Sequence, residues 1–78
     1  MANVVIYSTP SCVYCRVAKQ FFTENKVPYT EINVAEDYGK AEEMIKKSGQ
    51  QGVPVIEIDG KVIVGFDKAA IKSALGLP

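Results

Sequence analysis

Histidine is absent from this chain and cysteine occurs only twice, and these scarcities narrow the chemistry before any motif is read. Two cysteines without a histidine furnish half of a tetrahedral zinc site, so structural zinc would need a second chain. An excess of charge of either sign is missing too. Nine basic and nine acidic side chains give a formal net charge of zero, with no basic cluster beyond Lys46-Lys47, which argues against nucleic acid as a partner. No apolar run approaches the roughly 20 residues that a bilayer requires, which argues against a membrane span. No repeat, low-complexity tract or linker divides the chain, and a polypeptide this short buries only about 60% of its unfolded surface. The expectation is one domain over residues 1–78. A secretory signal would begin with charge and an apolar stretch, whereas Met1-Ala2-Asn3 leads straight into strand-like residues, so the expected location is cytoplasmic. In that compartment a structural disulfide is disfavoured, and a bridge between residues three apart closes too small a loop to stabilise much.

The two cysteines stand together, as Cys12-Val13-Tyr14-Cys15, just after the apolar run Val4-Val5-Ile6-Tyr7. A C-x-x-C at a strand-to-helix junction reads as a redox motif. The first turn of a helix has backbone N–H groups without intrahelical partners and carries the positive end of the macrodipole, so a sulfur there is favoured as thiolate. A thiolate attacks disulfides where a thiol scarcely does. Cys12 is thus the candidate nucleophile. Cys15, three residues on and facing it along the helix, is the candidate resolving thiol.

The remaining elements follow from pattern. A strand over about residues 3 to 8 is broken by Pro10, and Ser11 is suited to cap a helix running from Cys12 to about Asn25. Cys15, Ala18 and Phe22 give that helix a buried stripe, widened by Val17 and Phe21, with Arg16, Lys19 and Gln20 outward. A second strand covers about Tyr29 to Val34. Asp37 resembles a cap for a second helix, which carries Ala41, Met44 and Ile45 inward and ends at Gly49. Val53 to Ile58 and Lys61 to Val64 flank Asp59-Gly60, the pair best suited to a type I′ turn, and read as a hairpin. Asp67 can cap a last helix, with Phe66 and Ile71 as its hydrophobic staple and Gly76 as its end. The order β-α-β-α-β-β-α, with a right-handed first crossover, predicts an α/β, thioredoxin-like fold. In it a four-stranded mixed sheet is flanked by three helices.

With motif and element order in hand, the sequence resembles the glutaredoxins over nearly its whole length. The landmarks are Met1-Ala2-Asn3-Val4 to Tyr7, Cys12-x-Tyr14-Cys15, Glu42-Glu43-Met44-Ile45-Lys46 to Ser48-Gly49, Val53-Pro54 and Gly65-Phe66-Asp67. The resemblance implies a thiol–disulfide oxidoreductase that needs no tightly bound cofactor and no metal. Its implied partners are glutathione as co-substrate and disulfide-containing proteins, and it would act as a monomer. It also implies that Pro54 is cis, leaving the Val53 N–H and C=O to pair with an extended peptide or glutathione. By the same resemblance the amides of Gly65, Phe66 and Asp67, with the Asp67 carboxylate, would hold the γ-glutamyl end of glutathione, and Gln50 its glycine carboxylate. Tyr14 would shape the entry groove.

The chain also departs from the family pattern. Relatives usually have Pro at Val13, a basic residue at Thr9, Thr at Gly52, and Gly-Gly-x-Asp-Asp in place of Val64-Gly65-Phe66-Asp67-Lys68. Losing a cation and gaining Lys68 reduces the electrostatic match to glutathione. Small glutaredoxin-like electron donors, which some flavoprotein reductases reduce directly, often share the Gly-Phe pair and form one alternative. A second is a [2Fe–2S] scaffold in which Cys12 of two chains and two glutathiones complete the ligand set; Val13 in place of Pro keeps it open.

Overall fold

A computed structural model describes residues 3–78; Met1 and Ala2 of the first landmark lie outside the described residues. The elements are β1 (Val4–Ser8), α1 (Val13–Glu24), β2 (Thr30–Asn33), α2 (Tyr38–Ser48), β3 (Val55–Ile58), β4 (Lys61–Val64) and α3 (Lys68–Leu75). The strands form one sheet in the order β2-β1-β3-β4. β1 pairs parallel with β2 and antiparallel with β3, which pairs antiparallel with β4. The expected architecture is therefore the observed one.

Strand alternation sorts the core into two layers. Val4 and Ile6 of β1, Ile56 and Ile58 of β3 and Ile63 of β4 meet Ala18, Phe21 and Phe22 of α1 and Ile71 of α3. On the opposite face Tyr7, Val34 and Val55 meet Met44 of α2. With both faces covered, β1 is buried at all but one of its residues. This fixes the end of β1, from which the cysteine motif departs.

Local chemistry sets the boundaries. The side chain of Asp37 accepts from the Lys40 N–H at 3.0 Å to start α2, and that of Asp67 accepts from the Ala70 N–H at 3.2 Å to start α3. The hairpin turn has positive φ at both Asp59 (50°) and Gly60 (86°), as a type I′ turn requires. The start of β3 and one face of α1 differ from expectation. β3 begins at Val55 rather than Val53, because Pro54 has no N–H to give the ladder and the chain enters the strand only after it. Val17 does not widen the buried face of α1; it is 39% exposed. It lies about 100° around the helix from Ala18, on the side away from Cys15 and Phe22.

Ile71 joins α3 to the sheet and is fully buried. Ile71→Ala is expected to cost about 2–5 kcal/mol. Urea unfolding should show this as a lower midpoint with an unchanged slope.

Candidate active site

The end of β1, the start of β3 and the end of β4 lie side by side. Tyr7 is paired with Val55, and Val55 with Val64. The loops that follow or precede these residues therefore gather at one edge of the sheet, where α1 and α3 begin.

From Ser8 the chain turns through Thr9-Pro10-Ser11, and the Cys12 N–H donates to the Thr9 carbonyl at 3.2 Å to close the turn. That closure moves the cap by one residue. Ser11 lies exposed in the turn, and Cys12, with an extended backbone, is the N-cap of α1. Its Sγ accepts the Cys15 N–H at 3.0 Å, while its carbonyl accepts the first helical bond from Arg16. Sulfur has taken the place that serine, threonine or aspartate usually fills. A thiolate at this position would receive a charge-assisted bond from the Cys15 amide as well as the field of the helix start.

Cys12 and Cys15 are joined as a disulfide, with their Cα atoms 5.2 Å apart. Their surroundings differ. Cys12 is half-buried, whereas Cys15 is 1% exposed. Solvent therefore meets the Cys12 residue but not Cys15. Val13 and Tyr14, between the two, are both 64% exposed and flank Cys12 with apolar surface.

The Val53-Pro54 peptide is cis. Pro54 is buried, and among the described residues no hydrogen bond engages the N–H or C=O of Val53. The Gly65 N–H donates to the Pro54 carbonyl at 2.8 Å, so it ties β4 to the proline loop. The Phe66 and Asp67 amides have no such partner among the described residues. Phe66 meets Phe21 edge-on, with ring centroids 5.8 Å apart, and Asp67 serves as the α3 cap. Gln50 is folded over its own loop: its Oε1 accepts from the Gly52 N–H and its Nε2 donates to the Gly52 carbonyl. Both ends of the amide are thus engaged within the chain.

One cluster escaped the sequence reading. Ser8 is buried, and its hydroxyl donates to Glu31 Oε2 at 2.7 Å. Lys19 donates to the same oxygen at 2.7 Å. Lys19 is therefore not a freely solvated helix lysine but lies against the sheet. These hydrogen bonds, that from Lys19 first and that from Ser8 second, hold the Glu31 carboxyl below its ordinary value of 4.5. The signal was present in strand parity. Glu31 pairs with Ile6 in the register, so Ser8, two residues along β1, shares its face.

Two cysteines joined as a disulfide at a helix start, one half-buried and one enclosed, are the site of a thiol–disulfide oxidoreductase. The comparisons with known proteins point the same way. The glutaredoxin family profile matches residues 4–63. A glutaredoxin-like protein in a rubredoxin operon of Clostridium pasteurianum is 47% identical over 68 residues, covering 87% of this chain and 91% of the relative. Glutaredoxin 3 of Escherichia coli K12 is 41% identical over 76 residues, covering 97% and 92% respectively. Among solved structures, a mutant of the thioredoxin-like protein BC3987 superposes with a TM-score of 0.91 at 27% identity over the whole of both chains. The chain belongs to the glutaredoxin family, whose members use glutathione as a reductant. No helix among the described residues is long and apolar enough to cross a membrane.

Glu31 carries a test in acid. Its folded pKa is depressed, so its contribution to stability is present above the unfolded value and is lost as pH falls through the folded one. Between neutrality and pH values below 4.5, wild type is expected to lose more stability than Glu31→Gln. Urea midpoints across that range would show a shallower acid limb in the variant.

Proposed function

We propose that Cys12 is the nucleophile and Cys15 the resolving thiol of a cytoplasmic, monomeric, single-domain reductase of protein disulfides and glutathione mixed disulfides. The observation that carries this reading is the contrast between the two sulfurs: Cys12 half-buried and bonded by the Cys15 amide, Cys15 enclosed. The Cys12 thiolate attacks one sulfur of the substrate disulfide. A Cys12–substrate bond forms, and the other substrate sulfur leaves as a thiolate that takes a proton. The deprotonated Cys15 then attacks Cys12, forming the internal disulfide and releasing the second substrate thiol. Two electrons pass from the dithiol to the substrate, and no further cofactor is required. Two molecules of glutathione return the protein to its dithiol form and become glutathione disulfide.

Support for a peptide-like ligand comes from the unengaged Val53 backbone beside the cis proline, which can pair with an extended chain as one more strand. The Phe66 and Asp67 amides at the start of α3 suit a carboxylate such as that of the γ-glutamyl group. Gly65 contributes by shaping this turn, since its own N–H is bonded to Pro54. Gln50 reaches a glycine carboxylate only by giving up its bonds to Gly52. Tyr14 and Val13 offer apolar contact to a protein substrate. The cluster-scaffold reading gains no specific observation of its own: it draws on the same Cys12 that the dithiol reading uses.

The cysteines separate the steps. Cys12→Ser should reduce a model mixed disulfide no faster than buffer does, and Cys15→Ser should accumulate protein mixed disulfides visible by mass spectrometry under non-reducing conditions. Full turnover by Cys12→Ser would place the nucleophile elsewhere. The electron source is tested by following reduction of the oxidised protein with glutathione and glutathione reductase, and separately with NADPH and a flavoprotein thioredoxin reductase. Rapid turnover with the first is expected. Rapid turnover with the second alone would reject the glutathione contacts while leaving the dithiol chemistry intact.

A further inference from the structure

The cluster of Ser8, Glu31 and Lys19 has no part in the roles given to the cysteines or the ligand loops. Its members come from β1, β2 and α1, and they place polar groups against an otherwise apolar layer, where such groups are tolerated only when well paired. Its position relates it to the sulfurs. Cys15 and Lys19 are four residues apart on α1 and so are neighbours on one helix face. As the crossover between two parallel strands, α1 runs antiparallel to both β1 and β2. One turn back from Lys19 is about 6 Å and corresponds to about two residues further along the strands. That direction leads from Ser8 toward the cysteine turn. Cys15 is therefore the buried group one turn toward the helix start from the ion pair, and solvent reaches the pair but not Cys15.

We propose that Glu31, anchored by Ser8, cancels the charge of Lys19 beside the cysteine pair and so keeps the dithiol a stronger reductant than it would be next to an uncompensated lysine. The inference rests on the proposed role of Cys12. A thiolate there is already favoured by the helix start. An unopposed cation one turn beyond Cys15 would favour it further, and a stabilised reduced form is a weaker reductant with a higher potential. A carboxylate bound to the ammonium replaces that isolated charge by a short dipole whose field falls off faster. Hydrogen bonding from Lys19 and Ser8 keeps Glu31 ionised at neutral pH. The other charged groups near this edge are Arg16 on α1 and Asp67 and Lys68 at the start of α3, Lys68 lying over the Phe21 ring. They are common to every variant below and drop out of the comparison.

The test uses the full chain as wild type, Glu31→Gln, Lys19→Met and the double variant. Two quantities are read: the dithiol–disulfide equilibrium in glutathione redox buffer, and the pH midpoint of Cys12 ionisation from alkylation rates across a pH series. Urea unfolding of each variant controls for stability. Glu31→Gln is expected to shift the redox equilibrium toward the dithiol by about two- to tenfold and to lower the Cys12 midpoint. Lys19→Met, which leaves the carboxylate unpaired, should move both in the opposite direction. The double variant should return to within about twofold of wild type, since it restores neutrality. Ser8→Ala, which loosens Glu31 without removing a charge, should follow Glu31→Gln by a smaller factor, and it stands in if Glu31→Gln does not fold. A structural role alone would alter unfolding in every single variant but would not produce opposite signs in the two redox readouts. Shifts of the same sign, or none, with the wild-type Cys12 midpoint still below that of free cysteine, overturn the proposal. A wild-type midpoint equal to that of free cysteine overturns the nucleophile assignment instead.

Discussion

A sulfur standing where a helix cap oxygen usually stands is the interaction from which the chemistry of this protein is built. The bond from the Cys15 N–H to Cys12 Sγ depends on where α1 begins, and that point is fixed from both sides. Upstream, β1 is held between β2 and β3 and covered on both faces. Downstream, Ala18, Phe21 and Phe22 lock α1 onto the sheet. Between these anchors the Thr9–Cys12 turn leaves no slack for the helix to start one residue earlier. A cap is worth about 0.5–2 kcal/mol to a helix, which is small beside the core that positions it. The fold thus sets the geometry, and the cap bond converts that geometry into a bias toward thiolate.

The opposite face of the sheet shows why β1 can be such a firm base. Tyr7 is buried with its hydroxyl turned to the layer edge, where it donates to Glu43 at 3.2 Å and accepts from Lys47 at 3.3 Å. Lys47 also pairs with Glu57 of β3 at 3.1 Å, and Lys40 pairs with Glu43. The Glu43 carboxyl is lowered chiefly by Lys40, and the Lys47 ammonium is raised chiefly by Glu57. These groups are exposed enough for water and salt to screen them, so their part is to satisfy Tyr7 rather than to supply much stability. Among the described residues no buried side-chain polar atom lacks a partner. The strand that leads into the active site therefore has no unsatisfied buried side-chain group drawing it toward another arrangement.

Much of this was legible in the sequence because it depends on near neighbours. The caps at Asp37 and Asp67, the positive-φ pair at Asp59-Gly60 and the C-terminal glycines of α2 and α3 each follow from interactions within a few residues. The candidate site was legible for a similar reason, since a C-x-x-C after a strand carries its own geometry. What escaped depends on partners distant in sequence or on competition between adjacent candidates. Ser11 and Cys12 are both plausible caps by composition, and only the turn closed by the Cys12 N–H decides between them. Lys19 reads as a solvated helix residue until Glu31 is brought to it from the next strand. Gln50 reads as a ligand contact until the loop folds back and Gly52 takes both ends of its amide.

The two electrostatic influences on the cysteine pair differ in kind, which explains why one chain carries both. The cap bond acts at 3.0 Å through an oriented backbone dipole held by the helix, so ionic strength screens it little. The Lys19–Glu31 pair acts over a longer distance from side chains that are 28% and 39% exposed, so part of its field is lost to solvent and salt. On the role proposed for Cys12, stabilising its thiolate populates the attacking form but, carried too far, would leave a weaker nucleophile that holds its electrons too tightly to reduce anything. Speed depends on the thiolate being populated, and driving force on the thiolate not being too stable. On the proposed roles, attraction from the helix start, with Lys19 neutralised by Glu31 across the sheet, would place the dithiol between those limits.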